Sequence, residues 1–146
     1  MNDAELMEHG RRAVHEAQTA LSLGASNWPD NPKPENVGCI KRLRSIYGQL
    51  VEGRLNTAQE ILNIAGAAAN ARCGNCQEHA ALAFQYLWLE GIRPIHFLHE
   101  PKGDHNVVAI GPNEAGSVVI DAWRGQVARW SEYPRASVTE FRLSFY

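Results

Sequence analysis

The chain has 146 residues, enough for one domain with a real core, and its 45% hydrophobic and 21% charged residues argue against wholesale disorder. A formal net charge of −2, with no Lys/Arg-rich stripe, argues against a general nucleic-acid binder, and no apolar run is long enough to make a membrane helix. Three cysteines are too few, and odd in number, for a disulfide scaffold, so reduced thiols in a cytosol-like compartment are expected.

The first half reads helical. Leu6, Gly10, Ala13, Ala17 and Leu21 recur at helical spacing over residues 3–22, with Asp3 as a cap and Gly24 as a stop. The prolines of Asn27–Pro34 make that stretch a loop, where Trp28 is either a partner anchor or the side chain that pins the loop to the body. Pro34 suits a first helical turn, and Val37, Ile40, Leu43, Tyr47 and Leu50 form the stripe of a second helix ended by Gly53. Cys39 lies on this helix as packing. Thr57-Ala58-Gln59-Glu60 has capping-box form and opens a third helix through about Ala71. Asn75-Cys76-Gln77-Glu78 repeats the logic, with Asn75 as cap, and a fourth helix runs to Glu90 before Gly91.

After Gly91 the pattern changes to strands. Residues 92–98, 105–110 and 117–123 are the clearest, and 127–130 and 138–143 are weaker. Helices over 1–91 followed by strands over 92–146 read as a single α+β domain, with N-terminal helices packed on an antiparallel sheet.

Cys76 stands out by position. It occupies the first turn of its helix, where unpaired N–H groups and the helix dipole favour an anion. A thiolate, not a thiol, is the nucleophile. Cys76 shares a helical stripe with Ala80, Ala83 and Leu87 that must pack on the sheet, so its sulfur faces the strands. Glu78 points to the far side. A thiolate doing acyl transfer needs a base, and the base needs an orienting partner. His105 and Asp121 supply them if the hairpin between their strands pairs Gly111 with Ala115 and leaves 112–114 as the loop. His105 then lies directly opposite Asp121 on one face, with Val107, Ala109 and Val119 behind.

Other residues have plainer readings. Asn70, a few positions before the cysteine, and Asn75 are candidate oxyanion-hole amides, against their simple roles as a helix-end polar residue and a cap. His79 is a rival base, and more simply a helix-surface histidine; His9 and His15 face solvent. Asp104 is a rival orienter for His105, but adjacent strand residues point to opposite faces, so it is more simply a turn residue. Trp123 shields the His–Asp pair from water or is plain core. Cys73 and Cys76 form a Cys-x-x-Cys that suggests redox chemistry, though a helix rather than a strand precedes it, or a competing class, a zinc- or partner-binding module, with His96 and His99 as further ligands at a separation short for a zinc finger.

Arg72-Cys73-Gly74-Asn75-Cys76-Gln77-Glu78-His79-Ala80-Ala81-Leu82, then Asp104-His105-Asn106-Val107-Val108, then Val118-Val119-Ile120-Asp121-Ala122-Trp123-Arg124-Gly125 resemble the papain/transglutaminase-like superfamily. Its members carry a helix-borne Gly-x-Cys, a strand His and a strand-end Asp in that order. The spacing from His105 to Asp121 is most similar to the glutamine deamidases of bacterial toxins and injected effectors, of the mitogenic-toxin catalytic-domain type. The resemblance spans roughly residues 70–130. It implies Cys76 as nucleophile, His105 as general base and acid, and Asp121 as orienter, acting on a glutamine amide of a target protein without a cofactor or metal. Cysteine proteases and transglutaminases share the triad. Ala122 stands where many relatives have Pro, and the stretch from Cys76 to His105 is shorter than in the larger toxins. The motifs are also similar to those of arylamine N-acetyltransferases, which have further domains. The acidic start, Met1–Glu5, lacks a signal-peptide core. That fits a cytoplasmic protein and equally an effector translocated or secreted without a classical signal. A protein substrate is the expected partner, with no nucleic acid and no membrane; a chaperone or inhibitor is left open.

Overall fold

The computed structural model describes residues 1–25, 34–47 and 57–146. The expected loop at 27–33 with Trp28, and Leu50 and Gly53 of the second helix, lie outside the described residues. Among those described, the helices are α1 (Asp3–Ala20), α2 (Pro34–Tyr47), α3 (Ala58–Ala71) and α4 (Cys76–Leu89), and the strands are β1 (Ile95–Glu100), β2 (His105–Ile110), β3 (Val118–Asp121), β4 (Gln126–Arg129) and β5 (Glu140–Phe145). The chain is α+β, with a five-stranded antiparallel sheet in the order β4-β3-β2-β1-β5.

Helix starts follow local chemistry. Asn2, rather than Asp3, caps α1: its side-chain oxygen accepts the Glu5 N–H at 2.9 Å. Thr57 caps α3 in the same way, accepting from the Glu60 N–H at 3.2 Å. α2 turns Asn36, Cys39, Ile40 and Leu43 inward, so Val37, expected in the stripe, sits off this face and is 42% exposed. Ends are equally legible. Arg72 closes α3 in the left-handed region, and Gly91, at φ +73°, follows α4.

α1 and α4 pack on the sheet, α3 packs on α4, and α2 packs on α3. Ile95, Phe97, Val108, Ile110, Val118 and Ile120 face the helices and share one core with Leu6, Ala13, Ala17, Ala80, Ala83 and Leu87. α1 approaches closely at Gly10, where a Cβ would stand 2.8 Å from Val127 Cγ1. Leu98, Val107, Ala109 and Val119 point to the other face, which is covered by Tyr133 from a stretch of short 3-10 turns at Trp130–Glu132 and Ala136–Val138. Those turns take Val138 out of the last strand, which runs instead over Glu140–Phe145 and adds at the free edge of β1.

The β2–β3 hairpin departs from the expected register. The pairs are Val108 with Ile120, Ala109 with Val119 and Ile110 with Val118, so the connection is the wider loop from Gly111 to Ser117. Gly111, at φ +132°, begins it, with room for a Cβ only 2.5 Å from the Gly116 carbonyl. Asn113 Oδ1 accepts the Gly116 N–H at 2.8 Å, and Glu114 O accepts the Ser117 N–H at 3.2 Å. These bonds close a turn that the three-residue loop cannot make. The slip is by two positions, so every side chain keeps its expected face.

Candidate active site

Residues 72–75, between α3 and α4, are tied down at each step. The Leu23 N–H donates to Arg72 O at 2.9 Å and the Gly74 N–H to Gly24 O at 3.2 Å. Cys73 is bonded to Cys39 of α2 by a disulfide. This corrects three expectations at once: Cys39 is more than packing, the cysteines are not all reduced, and Cys73 does not act with Cys76. Gly74 cannot carry a side chain, because its Cβ would lie 2.3 Å from the Glu78 Cβ. Asn75 and Glu78 then form a capping box. Glu78 Oε1 accepts the Asn75 N–H at 3.0 Å and lies 3.4 Å from Arg44 Nη2 of α2. Glu78 does point away from the sheet, yet it is fully buried.

Cys76 is therefore the first residue of a helix whose start is held by its own cap, by α2 and by the end of α1. It is the one cysteine outside a disulfide, and it is partly exposed. Its thiol reaches the Asp104 carbonyl at 3.4 Å. Asp104 is an exposed turn residue, at φ +45°, directly before β2.

His105 opens β2 and Asp121 ends β3. His105 Nε2 lies 2.7 Å from Asp121 Oδ2, and both residues are buried. Asp121 Oδ1 accepts the Arg124 N–H at 3.1 Å, so one carboxylate oxygen is left to the imidazole. Gln18 of α1 donates to Ala122 O at 3.2 Å and steadies the strand end. The Trp123 ring lies 5.3 Å from the His105 ring and helps to cover it. Burial opposes a charge on His105. Hydrogen bonds to Asp121 and to Cys76, and the charges of both, outweigh it and raise the imidazole from 6.5 to about 9. Nε2 is turned to Asp121, and Cys76 is near enough for its charge to act on the ring. A positively charged imidazole there stabilises a thiolate.

The other sequence candidates take different places. Asn75 is the helix cap, and its carbonyl accepts from the His79 backbone N–H at 3.0 Å and from Nδ1 at 2.8 Å. His79 is thus buried and bound, not a helix-surface histidine. Asn70 is exposed on α3, two positions past Ala68 of the buried face and so on the opposite side of the helix. His15 is exposed and His9 is half-buried. His96 is buried, with its nitrogens 2.8 Å from Ser144 Oγ and 2.8 Å from Gly111 O. His99 meets Asn106 Oδ1 at 3.2 Å. The ligand set proposed around Cys73 and Cys76 is therefore engaged elsewhere. Among the described residues no group of His, Cys, Asp and Glu could hold a metal ion.

Two neighbours of the pair went unread in the sequence. Arg124 binds Asp121 through its backbone and brings Nε to 3.9 Å from Oδ2; the turn-forming Arg124-Gly125 after Asp121 is the signal that could have found it. Tyr133 is pushed up to about 12, first by burial and then by the charge of Asp121, with Arg124 opposing. Nothing near Tyr133 in sequence marks it. No family model matches the sequence, and no curated protein matches it.

Proposed function

We propose that the protein is a cysteine-dependent acyl-transfer enzyme acting on amides, with Cys76 as nucleophile, His105 as acid and base, and Asp121 as orienter. The observation that carries this reading is the buried His105–Asp121 pair, Nε2 to Oδ2 at 2.7 Å, at the start of the strand whose preceding residue, Asp104, accepts from the Cys76 thiol. The thiolate adds to the amide carbonyl. His105 then gives its proton to the departing nitrogen, which leaves a thioester on Sγ. His105 next takes a proton from water, the hydroxide adds to the thioester carbon, and the carboxylic acid leaves as the thiolate reforms beside the charged imidazole. Asp121 keeps the ring oriented and offsets its charge. The helix-start N–H groups at Cys76 favour the developing oxyanion.

The resemblance of the motifs to the papain/transglutaminase-like superfamily favours deamidation of a protein glutamine by a toxin- or effector-type enzyme. Proteolysis and transglutamination begin with the same thioester. The Cys39–Cys73 disulfide favours a translocated or secreted chain over a cytoplasmic one. No helix among the described residues is long and apolar enough to cross a membrane.

The test is incubation of the protein with a cell lysate in oxygen-labelled water, read by mass spectrometry. Deamidation produces glutamate carrying one labelled oxygen at a former glutamine. Proteolysis produces labelled new C-termini, and transglutamination produces unlabelled crosslinks. Absence of all three, or their persistence with Cys76→Ala, contradicts the reading.

A further inference from the structure

The sheet face that carries His105 and Asp121 also holds Glu100, the last residue of β1. The ladder pairs Glu100 with His105, so the two side chains leave the sheet on the same side. Glu100 is only 4% exposed. Its carboxylate is met by the Arg135 guanidinium, through Nε at 3.1 Å and through Nη2. Arg135 is half-exposed and comes from the irregular stretch that covers this face.

Between Glu100 and His105 the chain turns through Pro101, Lys102, Gly103 and Asp104. The turn wraps closely on the carboxylate: a Cβ at Gly103 would stand 2.9 Å from Glu100 Oε1. The Asp104 N–H returns to Pro101 O at 3.4 Å, and Asp104 is held at φ +45°, where a non-glycine residue is strained. The Asp104 carbonyl accepts from Cys76, and the next residue is His105. A continuous run of contacts therefore leads from Arg135 through Glu100 and the turn to the sulfur.

We propose that Glu100 and Arg135 are positioning residues: their ion pair holds the turn in the strained conformation that keeps Asp104 and His105 against Cys76. A buried carboxylate without its cation is costly, so the pair fixes the carboxylate, and the fixed carboxylate shapes the turn. Neither side chain acts on the imidazole itself. The charged groups that face it are Cys76 from α4 and Asp121 from β3. Arg124 and Tyr133 interact with Asp121.

This inference rests on the catalytic reading, and its test separates the two. Iodoacetamide alkylation of intact protein, read by mass spectrometry, reports on Cys76, since Cys39 and Cys73 are joined. Arg135→Gln and Glu100→Gln are expected to slow alkylation by about tenfold near neutral pH and to move the imidazole-dependent inflection of the pH profile downward. Arg135→Lys, which keeps the charge but not the fork, should recover part of the rate. If Glu100→Gln fails to fold, Arg135→Gln, altering a half-exposed residue, decides. A folded Arg135→Gln with the wild-type rate and profile overturns the proposal alone. A wild-type rate for His105→Ala overturns the catalytic reading and this proposal with it.

Discussion

His105 and Asp121 meet along a diagonal of the β2–β3 ladder, not straight across it. Continuing the register of Val108 with Ile120 sets Asp121 opposite Val107, yet Nε2 and Oδ2 are 2.7 Å apart. Diagonal neighbours on one face are within reach of long or aromatic side chains, and the imidazole spans the gap. The carboxylate thus approaches the ring from the side, at Nε2.

The raised imidazole makes folding stability depend on pH. A group whose value is higher folded than unfolded stabilises the fold when protonated. The contribution from His105 is full below 6.5 and is lost as the pH rises through about 9. Urea unfolding should show a loss of at most about 3 kcal/mol across that window. Asp121→Asn removes the first hydrogen bond that raises the ring, and should flatten the slope. An unchanged slope in Asp121→Asn would contradict the coupling.

Two glycines should fail differently. Gly74→Ala forces a Cβ into the Glu78 side chain at the start of α4, whereas Gly10→Ala presses α1 against Val127 and Ile120, away from Cys76. Each should cost about 1–3 kcal/mol in chemical denaturation. Only Gly74→Ala should also slow Cys76 alkylation in the folded protein. Equal alkylation rates for the two variants would show that the loop before α4 does not set the position of Cys76.

The Cys39–Cys73 disulfide joins residues separated by 34 positions and ties α2 to the loop before Cys76. Opening it, by reduction or in a Cys39→Ala/Cys73→Ala variant, should lower stability by about 2–5 kcal/mol. Thiol titration of the native protein should find one reactive cysteine, and three after denaturation with reductant. Three reactive thiols in the native, unreduced protein would contradict the pairing.

Much of the site is visible in local chemistry. Thr57 and Asn75 announce their helices because capping is settled within four residues. The faces of His105 and Asp121 follow from strand parity, which a two-residue slip preserves. What depends on distant partners is hidden. The cysteine pairing joins two helices whose packing no local pattern describes. The burial of His79 depends on what covers α4. The wider β2–β3 loop depends on Asn113 and Gly111 choosing one turn over another. Glu100 and Arg135 meet only because the stretch after β4 folds back over the sheet.

The most direct measurement is the rate of Cys76 alkylation against pH in the wild type and in His105→Ala. The account predicts rapid modification of the wild type near neutral pH and a loss of about tenfold or more in a folded His105→Ala, largest where the imidazole is charged. Superimposable profiles for the two proteins would contradict it.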